Sequence, residues 1–209
     1  MKKREIKAII FDVGGVIMFY DHMIAAKQMS KLIKVSSQKI FRIISNSGKY
    51  ARFTQFCEKG ALSKDYWNLL AKKLEIKKIP YHKFNRLWNN IFCPNKKMKK
   101  IIFNLKEDYK LALISNMGKE HKDYLIKKYK ITGPFQISIF SCDIGIRKPD
   151  LRIYKLALKK LGLKPAEVVF IDDIKENIKG VNKLGIRGVL FKNNNQLFKD
   201  LKKLGVKIR

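Results

Sequence analysis

Apolar residues in this chain follow two different periods, and the places where the period changes divide it into segments. Ala8 to Phe11 is an unbroken apolar run, too short for a helix and rich in β-formers. Asp12, Gly14 and Gly15 halt it, so it reads as a buried strand ending in a carboxylate. From residue 21 to residue 92 the period is helical. The stretches 21–34, 36–44, 49–58, 63–74 and 80–92 place apolar residues three and four apart, and no strand candidate interrupts them. After Pro94, short apolar runs alternate with helical patterns. Strands are predicted at 110–116, 136–140, 168–173 and 186–191, and helices at 96–106, 118–130, 149–161, 177–184 and 196–204, with Pro149 at a helix start. This alternation implies an α/β fold, a doubly wound parallel sheet covered on both faces. The expected core is residues 1–17 and 93–209, with residues 18–92 inserted as an all-helical domain after the first strand.

Composition changes this picture little. No window of 18 or more apolar residues occurs, and Met-Lys-Lys-Arg-Glu leads straight into the first strand, so neither a membrane span nor a signal peptide is expected, and the expected location is cytoplasmic. Cys57, Cys93 and Cys142 lack the paired spacing of a zinc site or a disulfide framework and are expected to be buried thiols. The formal charge of +30 invites a nucleic-acid reading. However, the cations are 39 lysines against 8 arginines, spread from end to end without a recognisable binding motif. The charge is therefore read as compositional. It would still draw in anionic substrates.

Three predicted strands end in residues with chemical potential: Asp12, the pair Ser115 and Asn116, and the pair Asp172 and Asp173. In a parallel sheet these ends share one edge, where residues distant in sequence converge. Lys148 lies between the second and third sets. Singly, each has an ordinary reading. Asp12 suits a turn, Ser115 and Asn116 suit a strand-to-helix connection, and Lys148 is one lysine among many. Adjacent acids closing a buried strand are harder to dismiss, because they repel each other without a cation. Together the set suits phosphoryl transfer through a covalent aspartate, with Mg²⁺ and an ammonium screening the repulsion between two anions. Asp12, the Gly14 carbonyl and Asp173 supply oxygen ligands of the kind Mg²⁺ prefers. Ser115 and Asn116 are candidates to bind phosphoryl oxygens, and Lys148 to neutralise charge.

The segments Phe11-Asp12-Val13-Gly14-Gly15-Val16, Ile114-Ser115-Asn116, Arg147-Lys148-Pro149 and Phe170-Ile171-Asp172-Asp173 resemble the four ordered motifs of the haloacid dehalogenase superfamily. The resemblance is to its glucose-1-phosphatase-like branch and to the phosphatase domain of epoxide hydrolases. It implies a Rossmann-like core with a C1-type helical cap, and a Mg²⁺-dependent phosphatase acting on a small phosphorylated metabolite such as a sugar phosphate. It also implies Asp12 as nucleophile, Asp12, Gly14 and Asp173 as metal ligands, and Asp172 either behind them or sharing the metal ligation. One departure stands out: most such phosphatases carry an acid-base Asp two residues after the nucleophile, where this chain has Gly14. Asp21 and His22 are the nearest substitutes, although either also fits as a helix cap or a solvated ring. Specificity is expected from cap side chains such as Tyr20, His22, Tyr50, Phe53 and Trp88. Two other readings stay open: a 2-haloacid dehalogenase with the same nucleophile, and a non-catalytic member that binds an anionic partner such as RNA.

Overall fold

The computed structural model describes residues 5–45, 51–61, 63–74 and 79–208. Its centre is β1 (Ala8–Phe11), four residues with every side chain buried. Side chains alternate across a strand, so β1 has two apolar faces and needs cover on both. Ile9 and Phe11 pack with Met98 and Ile102 of α6 (Lys96–Leu105) and with Leu197 and Leu201 of α11 (Asn194–Lys203). Ala8 and Ile10 pack with Ile153 and Ala157 of α9 (Leu151–Leu161) and with Ile178 and Val181 of α10 (Lys175–Lys183). β4 (Lys110–Ser115) and β6 (Val168–Asp172) flank β1, both parallel to it, with Phe11 opposite Leu113 on one side and Ile171 on the other. β5 (Ile137–Phe140) and β7 (Arg187–Leu190) complete a five-stranded sheet in the order β5-β4-β1-β6-β7. The chain crosses β1 between β5 and β6, so the C-terminal edge of β1 lies at the switch in strand order, where open α/β sheets form a ligand crevice.

The helical stretch between β1 and β4 has its own core. α1 (His22–Ser30), α2 (Ser37–Ile44), α3 (Ala51–Glu58), α4 (Ser63–Leu74) and α5 (Tyr81–Asn89) contribute to one cluster that includes Met29, Ile40, Trp67, Leu70, Phe84 and Trp88. Its helix starts are cut by side-chain caps: Asp21 accepts from the Met23 amide and Ser36 from the Lys39 amide.

Several expectations need correction. The helix expected to reach Phe92 stops at Asn89, and Phe92 opens β3 (Phe92–Pro94), which pairs antiparallel with β2 (Met18–Tyr20). Three-residue strands are too short to display a period, and Phe92 continues the apolar spacing of the helix before it. Pro149 lies ahead of α9 rather than in it, since Asp150 is the capping residue. The four-residue α8 (Ser141–Ile144) was not anticipated. Of the cysteines only Cys57 is buried; Cys93 is exposed on β3 and Cys142 is half-buried. No helix among the described residues is long and apolar enough to cross a membrane.

Candidate active site

The sheet delivers Asp12, Ser115 and Asp172 to one edge because β1, β4 and β6 run in register and end together. Lys148, on the connection into α9, reaches into this edge and is almost wholly buried. Its Nζ lies 2.8 Å from Asp12 Oδ1 and 2.6 Å from Asp172 Oδ2. Asp172 is held in turn, accepting hydrogen bonds from Asn177 Nδ2 at 3.0 Å and from the Ile174 amide at 2.8 Å. Asp173 is the least buried acid of the three, and one oxygen each from Asp12, Asp172 and Asp173 lie within 4.8 Å of one another.

These groups set one another's protonation. Burial pushes the Asp12 carboxyl upward and Asp172 and Asp173 add to the push, while the Lys148 ammonium opposes it. Burial would drive Lys148 downward, but Asp12 and Asp172 more than offset this and raise it. Asp173 is raised by burial first and by Asp172 second. Three carboxylates therefore face one ammonium, and the excess negative charge favours a cation or a proton at Asp12 and Asp173.

Two glycines let the backbone into this space. Gly15 has φ +73°, and a Cβ there would lie 2.1 Å from Asp173 Oδ2, so any side chain would displace the acid. At Gly14, a Cβ would come 3.2 Å from Tyr20 Cε1. The space where an acid-base side chain would begin at position 14 is bounded by the Tyr20 ring.

Above this charged floor opens a cavity of about 410 Å³. Asp12, Ser115, Lys148 and Asp173 line its base, and side chains from β2, α1, α5, β3 and α7 (Lys119–Tyr129) line its wall. Five wall rings form a closed circuit: Tyr20 to His22 at 5.4 Å, His22 to Trp88 at 5.3 Å, Trp88 to His121 at 5.1 Å, His121 to Phe92 at 4.9 Å, and Phe92 back to Tyr20 at 6.3 Å between centroids. Such pairs each add about 0.5–1.5 kcal/mol beyond the area they bury. Burial lowers both imidazoles to about 4, so they are neutral at pH 7. The Trp88 carbonyl can only accept, so His121 carries its proton on Nε2, 3.2 Å away. The helical stretch is also tied to the sheet side by polar contacts: Glu58 accepts from Arg147 Nε at 2.5 Å, and Tyr81 donates to Glu120 at 3.0 Å.

Comparison with known proteins is consistent with this geometry. The description "haloacid dehalogenase-like hydrolase" matches residues 6–185. The chain belongs to the haloacid dehalogenase-like hydrolases. Among this hydrolase's relatives, flavin mononucleotide hydrolase 1 of Arabidopsis thaliana is 36% identical over 81 residues, covering 39% of this chain; the chain thus spans about a third of that protein, the matched share being 33%. A sesquiterpene phosphatase of Aspergillus oryzae is 25% identical over 185 residues, 88% of either chain. Among solved structures, a family enzyme of Bacteroides thetaiotaomicron crystallised with magnesium and inorganic phosphate superimposes with a TM-score of 0.74 at 23% identity, covering 92% of this chain and 99% of that one.

Within this haloacid dehalogenase-like hydrolase the sequence-predicted residues have different fates. Asp12, Ser115, Lys148 and Asp173 converge on the cavity base as expected, as does Gly14. Asn116 also lines the cavity, but its amide is used elsewhere. Its Nδ2 donates to the Lys148 carbonyl at 2.9 Å and its Oδ1 accepts from the Lys148 amide at 2.8 Å, so the side chain holds the Lys148 backbone. Asp172 likewise holds Lys148 from behind. Asp21 caps α1 and does not line the cavity. His22 is no solvated ring, since it packs between Tyr20 and Trp88. Tyr50 and the Phe53 side chain lie outside the described residues. Sequence reasoning missed His121, Tyr66 and Glu58. The scarcity of histidine, three in the whole chain, was the one available signal for His121.

Proposed function

We propose that this hydrolase is a Mg²⁺-dependent phosphomonoester hydrolase that forms a covalent phosphate on Asp12. The observation that carries the reading is the Lys148 ammonium fixed between Asp12 and Asp172 beside a third carboxylate, at the ends of parallel strands. The donor set fits Mg²⁺. The donors are carboxylate oxygens, their charge exceeds that of the one ammonium, and Gly15 leaves room for Asp173 to approach. Asp12, the Gly14 carbonyl and Asp173 would hold the ion. When bound, Mg²⁺ supplies charge neutralisation between the attacking carboxylate and the phosphoryl oxygens.

The chain's own groups account for the remaining steps. An Asp12 oxygen attacks phosphorus, the bond from phosphorus to the substrate oxygen breaks, and the departing alkoxide takes a proton from solvent water. Water then attacks the phosphorus of the aspartyl phosphate, releasing inorganic phosphate and restoring Asp12. Lys148 offsets charge on the transferring group, and Ser115 donates a hydrogen bond to it. Asp172, Asn177 and Asn116 keep Lys148 in place. With Gly14 where an acid-base residue would stand, alkoxide departure has less help, and substrates with good leaving groups are favoured. The helical stretch 18–92 acts as a cap that keeps water from the site and contacts the leaving group.

The deciding measurement is phosphate release from p-nitrophenyl phosphate with Mg²⁺, with EDTA, and by Asp12→Asn. Release lost in both controls supports the proposal. No release from folded protein with Mg²⁺ sinks it, and chloride release from a 2-chloroacid that persists in EDTA would replace it with dehalogenation.

A further inference from the structure

The wall of the cavity carries information about the group from which phosphate is removed, an inference that rests on the phosphatase reading above. The five-ring circuit lines the cavity with aromatic side chains from five elements, and its two imidazoles are uncharged at neutral pH. Cations are scarce here despite the charge of +30. The two that line the cavity among the described residues are Lys148, engaged by Asp12 and Asp172, and Arg147, engaged by Glu58. A second phosphate or a carboxylate on the substrate would meet Glu58 and Asp173, with no unpaired cation among the described residues that line the cavity. A polyol would fare little better, because buried hydroxyls need partners and polar groups of the lining are already engaged with one another, Glu58 with Arg147, Asn116 with the Lys148 backbone and Asn177 with Asp172. Two polar wall groups make no hydrogen bond to a described residue, the His22 ring and the Tyr66 hydroxyl. The latter is fully buried yet lines the cavity. The volume, about 410 Å³, lies near the small end of the ligand-site range of about 300–1,000 Å³, enough for phosphate and one ring system.

We propose that the natural substrate is the phosphomonoester of an uncharged ring compound that packs against the Tyr20–His22–Trp88–His121–Phe92 circuit, in place of a sugar phosphate or a bisphosphate.

The test uses the Mg²⁺-loaded protein and esters of primary alcohols of similar basicity, so that leaving-group chemistry is matched: benzyl phosphate, 4-acetylbenzyl phosphate, glycerol 3-phosphate, glucose 6-phosphate and fructose 1,6-bisphosphate. Benzyl phosphates are expected to exceed the sugar esters in kcat/KM by about tenfold or more, most of it in KM. Trp88→Leu should erase that preference. Should Trp88→Leu not fold, Tyr20→Leu, at a ring already half exposed, serves the same purpose. Equal rates across the panel, or a preference for glucose 6-phosphate, with turnover still lost in Asp12→Asn, would overturn this proposal and leave the phosphatase reading standing. If no ester is turned over, p-nitrophenyl phosphate included, the phosphatase reading fails. The ring site is then decided by Trp88 fluorescence quenching, where tighter binding of benzylphosphonate than of methylphosphonate supports it and equal binding overturns it.

Discussion

The floor and the wall of one cavity are built in opposite ways. The floor is made of charged groups, each within a short recognisable motif: Asp12, Asp172 and Asp173 at strand ends, and Lys148 set against Asp12 and Asp172, with Asn116 and Asn177 fixing the pair. The wall is neutral, assembled from single side chains on five separate elements, and its rings are held by packing. Of the 39 lysines, the one that lines the cavity among the described residues is Lys148, on the floor. The floor owes its precision to backbone register and the wall to side-chain shape, so the two should fail differently.

The largest effect is expected on the floor. Lys148→Met leaves Asp12 and Asp172 buried without a counter-charge, which should cost about 3–5 kcal/mol in urea unfolding without added metal, and about 10²- to 10³-fold in kcat. A loss below 1 kcal/mol would show that the floor is not held by charge.

The wall should respond to acid. His22 and His121 are lowered by burial to about 4, so between pH 6.5 and 4 the unfolded chain binds protons that the folded one refuses. Stability should fall as pH drops through that window, by roughly 3 kcal/mol per imidazole. Asp12, raised by burial, slopes the other way, so the measurement is the difference between the native protein and His121→Gln, whose dependence on pH should be shallower. Parallel curves would break the description of a neutral wall.

Where floor meets wall, Gly14→Ala should cost about 1 kcal/mol by pressing a methyl group on the Tyr20 ring, and the cost should vanish in a Tyr20→Ala background. The smallest change expected is Glu58→Gln, under about 1 kcal/mol by thermal unfolding, since Arg147 keeps a hydrogen-bond acceptor and reaches water. A cost there as large as that of Lys148→Met would mean the two regions are not separate.

The floor was legible in the sequence for the reason that makes it rigid. β1, β4 and β6 are apolar runs stopped by polar residues, and a parallel sheet leaves those stops one place to go. What sequence could not supply was direction. Asn116 stands beside Ser115, yet its amide turns to the Lys148 backbone, and nothing in a residue's identity says which neighbour its dipoles will face. Asp21 and His22 are adjacent, yet one caps α1 toward solvent and the other joins the rings. Of the wall, Tyr20, His22 and Trp88 were expected at the site and line the cavity, but their contacts were not legible, because pairs such as Trp88 with His121 join residues 33 apart in sequence that carry no shared pattern. The β2–β3 pairing was missed for want of length, its strands having three residues each.

That short ribbon has a structural consequence of its own. Because Tyr20 lies directly opposite Phe92, the chain leaves the sheet side and returns to it at neighbouring points, and everything between is a detour closed on itself. Such a detour behaves as a cassette: a two-residue turn of the kind that joins hairpin strands could bridge Tyr20 and Phe92 without moving either end of the sheet. The protein could then lose or exchange its selectivity while keeping its chemistry, because the residues that would be cut out and those that hold Asp12 belong to separate cores.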